Sequence, residues 1–130
     1  MRLLLDTHYV LWVSVFADRL TVAEQRLIES NETIASSMSL WELRIKWRTL
    51  GADGRRKGPA DPADVLAGLA RLGIETLPLT AAHACAVLQH ALPHKDPFDE
   101  QLMIHAQELG ARLLTRDSRL LEHPLAYRAA

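Results

Sequence analysis

The chain has only one cysteine, Cys85, among its 130 residues. An internal disulfide and a thiolate metal cluster are both excluded, and the usage fits a reducing, cytoplasmic setting. Net charge is also nearly absent, −1 at pH 7. Charge over the whole molecule therefore predicts no polyanionic partner, and any nucleic-acid contact must rest on local charge. There is no long apolar run. The uncharged stretch from Thr7 to Ala17 is too short to span a bilayer, so no membrane role is expected. The amino terminus does not read as a signal peptide, because Asp6 and His8 interrupt its apolar run and no small-residue cleavage site follows. Internal repeats and low-complexity tracts are lacking too.

What is present is an ordinary globular composition, 48% hydrophobic and 24% charged. The length suits a single domain, residues 1–130, with enough chain to bury a core. Leu3-Leu4-Leu5 reads as a short strand buried on both faces, ending at Asp6. An apolar helix is expected from Tyr9 to Phe16. A second follows the capping box at Thr21 and runs to about Ser30. Thr33-Ile34-Ala35 reads as the next strand. Ser39-Leu40-Trp41-Glu42 reads as another capping box, opening a helix to about Leu50.

Residues 51–61, rich in glycine and bearing Arg55-Arg56-Lys57, read as a mobile loop. Asp61-Pro62 starts a helix that Gly73 stops, and Ile74 to Leu79 is a strand. Thr80 caps a helix expected to reach about Ala91. Asp96-Pro97 starts another, stopped by Gly110. Ala111 to Thr115 is a strand, and Leu125 to Tyr127 an edge strand. Strands alternating with helices point to an α/β fold with a doubly wound parallel sheet.

Asp6 and Asp117 fall just past the carboxyl ends of expected strands, where open α/β sheets place their sites. Glu42 and Asp99 are expected in the first turns of helices, whose amino termini lie at that same edge. Singly, each acid reads first as a cap or turn residue. Together, four carboxylates at one edge repel one another unless a cation neutralises them. Hard oxygen ligands suit Mg²⁺ or Mn²⁺.

Leu5-Asp6-Thr7-His8, Ser39-Leu40-Trp41-Glu42-Leu43, Asp96-Pro97-Phe98-Asp99 and Leu114-Thr115-Arg116-Asp117 resemble the four sequence blocks of PIN-domain ribonucleases, in particular the VapC-type toxins of toxin–antitoxin pairs. The resemblance spans nearly the whole chain, in order. It implies a three-layer α/β/α fold with a four- to five-stranded, mainly parallel sheet. It implies that Asp6, Glu42, Asp99 and Asp117 bind Mg²⁺ or Mn²⁺, with Asp96 an auxiliary acid or a helix cap, and Thr7 and Thr115 orienting ligands or acting only locally. The implied activity is metal-dependent endoribonuclease cleavage of RNA, without a covalent intermediate and leaving a 5′-phosphate and a 3′-hydroxyl. The implied partners are a cognate VapB-like antitoxin and a second copy in a homodimer. One departure is Glu100, where similar toxins often carry arginine.

Arg44, Lys46, Arg48, Arg55, Arg56 and Lys57 make residues 44–57 locally basic, either for phosphate contact or as a solvated face. Arg116 and Arg119 flank Asp117, placed to touch a phosphate or to balance the acids. His90 and His94 have helical spacing, but Pro93 between them argues against a histidine metal site. Trp12, Trp41 and Trp47 read as core or interface rather than base-stacking platforms. Two other readings compete: a catalytically idle PIN-like module that binds RNA or protein, and a receiver-type or phosphatase-like α/β domain with Asp6 as phosphoacceptor. The second leaves Glu42 and Asp99 without work.

Overall fold

The structure, a computed structural model, describes residues 1–130. Five parallel strands form one sheet. They are β1 (Arg2–Leu5), β2 (Glu32–Ser36), β3 (Glu75–Leu77), β4 (Arg112–Leu114) and β5 (Ala126–Tyr127), in the order β3-β2-β1-β4-β5. The helices are α1 (Thr7–Val15), α2 (Val22–Ser30), α3 (Ser37–Arg48), α4 (Pro62–Arg71), α5 (Ala81–Cys85) and α6 (Pro97–Glu108). The strand order reverses direction at β1, so β1 is central and its carboxyl end lies at the switch point where such sheets place their sites.

Alternation along β1 explains the layers. Leu5 points into one apolar cluster with α1 and α4, through Val10, Val65 and Leu69. Leu4 points into the other with α6, through Leu102, Met103 and Ala106. Both leucines are fully buried. A strand with helices on both sides needs an unbroken aliphatic run, and Leu3-Leu4-Leu5 supplies it. The three-layer PIN-like architecture follows from this double coverage.

On the first side, α4 approaches α1 through a glycine. A Cβ on Gly68 would stand 2.5 Å from the Ser14 carbonyl oxygen and 2.9 Å from its Cβ. Ser14 cannot easily give way, since its hydroxyl donates to the Val10 carbonyl at 2.6 Å. Alanine gains about 1 kcal/mol in helix propensity, but the clash outweighs it. Gly68→Ala is expected to destabilise the fold by about 2 kcal/mol, read as a lower urea midpoint at unchanged slope.

Two expectations change. The helix carrying Glu42 opens at Ser37, not after Ser39, because β2 runs straight into it. Ser36 is the cap, its Oγ accepting from the Met38 N–H at 3.0 Å. That hydroxyl also contacts Nδ1 of the buried His105 at 2.8 Å, tying the β2–α3 junction to α6. The helix after Thr80 ends at Cys85 instead of near Ala91. Gln101 of α6 donates to the His83 carbonyl in its last turn; beyond it the chain is irregular, and Gln107 of α6 donates to the Val87 carbonyl and accepts from the Gln89 N–H. These partners replace the hydrogen bonds a longer helix would have made.

Candidate active site

Asp6 ends β1 and caps α1, its Oδ1 accepting from the Tyr9 N–H at 2.9 Å. It is almost buried, at 6% exposure. Burial raises its pKa. The Tyr9 N–H, the Thr115 hydroxyl and His8 oppose that rise, and the charge of Asp117 adds to it. Thr115 links two acids: its hydroxyl accepts from the Asp117 N–H at 3.0 Å and favours the charged form of Asp6.

Glu42 reaches the same neighbourhood by a different route. With α3 starting at Ser37, Glu42 falls in the second turn, so its carboxylate is not occupied in a capping box. The Thr7 hydroxyl donates to its Oε1 at 2.7 Å and also meets the buried Ser39 Oγ at 3.1 Å. The residue directly after Asp6 thus holds Glu42. Lys46, one turn on, contacts its Oε2 at 3.0 Å.

Asp99 lies in the first turn of α6, as expected. Asp96 caps that helix, its Oδ1 accepting from the N–H groups of Phe98 and Asp99. Trp41 and Phe98, which precede Glu42 and Asp99, meet at 5.6 Å between ring centres and so join α3 to α6 beside the acids.

Asp99 Oδ2 is buried and has no hydrogen-bond partner. His94 Nε2 and Arg119 Nη2 each stand 3.6 Å from it, too far for a hydrogen bond. Burial lifts the Asp99 pKa to about 6, helped by the charges of Asp96 and Asp117 against the opposing pull of Arg119 and His94. Asp117 behaves oppositely. Hydrogen bonds from the side chain of Arg119, and from its backbone N–H at 2.9 Å, hold its pKa low against burial. Arg119 grips Asp117 at 2.8 Å and so spans the gap between the two aspartates.

Histidine metal binding does not fit the geometry. His90 and His94 lie in irregular chain, not on one helix face. His94 Nδ1 accepts from the Asp96 N–H at 3.1 Å, so the proton of the neutral ring sits on Nε2 and faces Asp99. His94 is a donor beside an acid, and no pattern in the sequence marked it as one.

The basic residues divide. Lys46 is engaged by Glu42, and Arg56 lies over the Trp47 ring at 4.7 Å and donates to the Trp47 carbonyl. Arg44, Arg48, Arg55 and Lys57 are exposed. The segment 51–61 is partly ordered, with a bridge between Leu50 and Arg56 and a turn at Gly54, whose φ of 76° favours glycine. Arg116 does not face the acids. It turns to the buried Glu24 and stacks over Trp12 at 4.4 Å. Its place beside Asp117 is taken by Arg119.

As the side chains stand, no three acids, histidines or cysteines close on one point. The chemistry nonetheless fits a hard divalent cation. The donors are carboxylate oxygens, one of them buried without a partner. Burial above all, with nearby like charges adding to it, penalises ionisation of Asp6 and Asp99, and an added cation relieves that penalty. Asp6, Asp99 and Asp117 are the candidate ligands, with Glu42 held alongside through Thr7.

A family model described as "PIN domain" matches residues 3–124. Ribonuclease VapC22 of Mycobacterium tuberculosis is 33% identical over 125 residues, covering 92% of this chain and 90% of that protein. Among solved structures, a chain in the crystal structure of VapBC2 from Rickettsia felis bound to a DNA fragment from their promoter superposes with a TM-score of 0.58. It covers 98% of this chain and 97% of its own length. Its identity is 15%, so this match speaks to fold alone.

Proposed function

This chain belongs to the PIN-domain family, in its VapC-type branch, and from that premise we propose that it is a Mg²⁺- or Mn²⁺-dependent endoribonuclease acting as the toxin of a toxin–antitoxin pair. The observation that carries the reading is Asp99: a half-buried carboxylate at the sheet edge whose Oδ2 is buried without a hydrogen bond, with a pKa near 6, close to Asp117. Ionising it in that place calls for a cation.

Asp6, Asp99 and Asp117 are the metal ligands in this reading, and Glu42 completes the set. Thr7 aims Glu42, Thr115 aligns Asp6 with Asp117, and Asp96 sets the start of α6. These residues would hold a divalent ion, whose chemistry there would be to activate a water and offset charge on the leaving oxygen of the phosphodiester. No side chain is needed as nucleophile. Exposed Arg44, Arg48, Arg55 and Lys57 are the candidate contacts to the RNA backbone.

The protein partner is a VapB-like antitoxin, and a homodimer follows the family expectation. The half-exposed Trp41, Ile45 and Leu66 on α3 and α4 are apolar surface available to either. No helix is long and apolar enough to cross a membrane, and we place the activity in the cytoplasm.

The test is cleavage of total RNA by antitoxin-free protein in Mg²⁺, Mn²⁺ or EDTA, beside an Asp6→Asn variant checked for folding. Cleavage that needs metal and is lost in the variant is the expected result. Metal binding no stronger in wild type than in the variant, with no cleavage, would overturn the nuclease reading in favour of an idle RNA- or protein-binding module.

A further inference from the structure

We infer that Arg119 is a built-in stand-in for the divalent cation, which has to leave the gap between Asp99 and Asp117 before metal enters and is then free to hold RNA phosphate. The inference rests on the metal-dependent reading above and adds a residue to it.

Three observations carry it. Arg119 spans the two aspartates, with Nη2 at 2.8 Å from Asp117 Oδ2 and 3.6 Å from Asp99 Oδ2. Its Nε also contacts both oxygens of Asp117, at 3.2 and 3.3 Å. A monovalent, delocalised cation thus sits where a compact divalent one would neutralise both acids, and the two compete for the same space and the same charge. Second, Arg119 is poorly anchored elsewhere. Its side chain is 59% exposed and its hydrogen bonds go only to Asp117, so releasing it is cheap beside the dehydrated contacts a metal makes. Third, it has somewhere to go. Arg119 also lines a hollow of about 290 Å³ with His90, Pro93, Glu122, His123 and Pro124, where Glu122 is the one acid. A guanidinium turned that way leaves the acids while remaining at the rim of the site, and its fork matches phosphate geometry.

A turn residue with no further role predicts a different pattern. Arg119 does shape a turn, since its N–H donates to Asp117 Oδ1 at 2.9 Å. That bond belongs to the backbone and survives any side-chain substitution except proline. Arg119→Gln therefore removes the charge and the fork but keeps the turn.

The experiment measures Mn²⁺ binding to the antitoxin-free protein without RNA, by titration with Mn²⁺ alone, and separately the KM for RNA over a range of salt. Arg119→Gln is expected to bind Mn²⁺ about threefold to fivefold more tightly, the scale of releasing one exposed ion pair. The same variant is expected to raise the KM for RNA and to flatten its salt dependence by about one phosphate contact. Arg119→Lys keeps a point charge without the fork and should fall between.

Opposite shifts for metal and RNA from one substitution are what a turn residue cannot produce. Unchanged or weaker Mn²⁺ binding overturns the inference. Tighter Mn²⁺ with an unchanged KM for RNA overturns its phosphate half. Asp6→Asn in both backgrounds separates the failures. If it leaves Mn²⁺ binding intact, the acids are not the metal site and this inference falls with that reading. If it weakens binding while Arg119→Gln does not tighten it, only the role of Arg119 is wrong.

Discussion

Asp99→Asn is expected to abolish metal-dependent RNA cleavage, by on the order of 10³-fold, and at the same time to make the metal-free protein more stable. The two effects share one cause. Asp99 is half-buried, and desolvation, aided by the charges of Asp96 and Asp117, lifts its pKa to about 6, from an ordinary value of 3.8.

The sign follows from linkage. A carboxylate whose folded pKa is raised costs nothing below its unfolded value, because it is protonated in both states. Stability is lost as pH rises from about 4 through about 6. At neutral pH the full cost is in force. Asparagine has nearly the same shape and no charge to desolvate, so the variant escapes it. Raising the carboxyl from 3.8 to about 6 corresponds to about 3 kcal/mol. Partial solvation of the side chain reduces the gain to about 1–2 kcal/mol. Thermal melts in EDTA at pH 7.5 should show a Tm several degrees higher for the variant. Adding Mn²⁺ should then stabilise wild type and not the variant. A variant less stable than wild type in EDTA would show that Asp99 is not strained by its neighbours.

The second large effect lies behind the site. Glu24, 3% exposed, receives Arg116 Nε at 2.7 Å and its Nη2, together with the Tyr9 hydroxyl and the Thr21 N–H at 2.7 Å. Burial alone would raise its pKa, but the hydrogen bonds from Arg116, Thr21 and Tyr9 outweigh it and hold the carboxyl at about 2. The Tyr9 hydroxyl, donating to that carboxylate in a buried place, has its own pKa pushed up.

Glu24→Ala leaves Tyr9 and Arg116 without their acceptor and is expected to cost about 3 kcal/mol at pH 7. Glu24→Gln keeps the volume and part of the hydrogen bonding, and should cost less. The pH dependence has the opposite sign to that of Asp99. A depressed carboxyl contributes stability above its unfolded value, near 4.5, and loses it as pH falls toward about 2. Wild type should therefore lose about 2–3 kcal/mol between pH 5 and pH 2 that Glu24→Gln does not. Urea unfolding at pH 7 and pH 3 reads the difference, and parallel losses in both proteins would place the acid sensitivity elsewhere. The cluster also bears on chemistry, because the residue whose ring it holds, Tyr9, anchors Asp6 through its N–H.

Much of this protein is local and could be read directly. Leu3-Leu4-Leu5 has to be a doubly covered strand, Asp61-Pro62 and Asp96-Pro97 have to start helices, and Gly110, at φ 64°, has to stop one. Those features place Asp6 after β1, Asp99 in the first turn of α6 and Asp117 beyond β4, because each depends only on chain neighbours. Even the two-residue edge strand at Ala126–Tyr127 was legible from its apolar run.

Other features were decided between distant residues. Ser36, not Ser39, caps α3, since β2 leads into the helix without a loop, and this moves Glu42 into reach of Thr7. The segment after Cys85 stays irregular because side chains of α6 take its backbone groups. Arg116 and Arg119 stand on either side of Asp117 in the chain, and sequence treats them alike. The sheet order brings Glu24, 92 residues away, to Arg116, and a buried carboxylate outbids an exposed one for that guanidinium. Arg119 is thereby left to the acids. Caps, turns and buried runs are properties of a few adjacent residues, whereas which charge meets which is set only when β4 docks against β1.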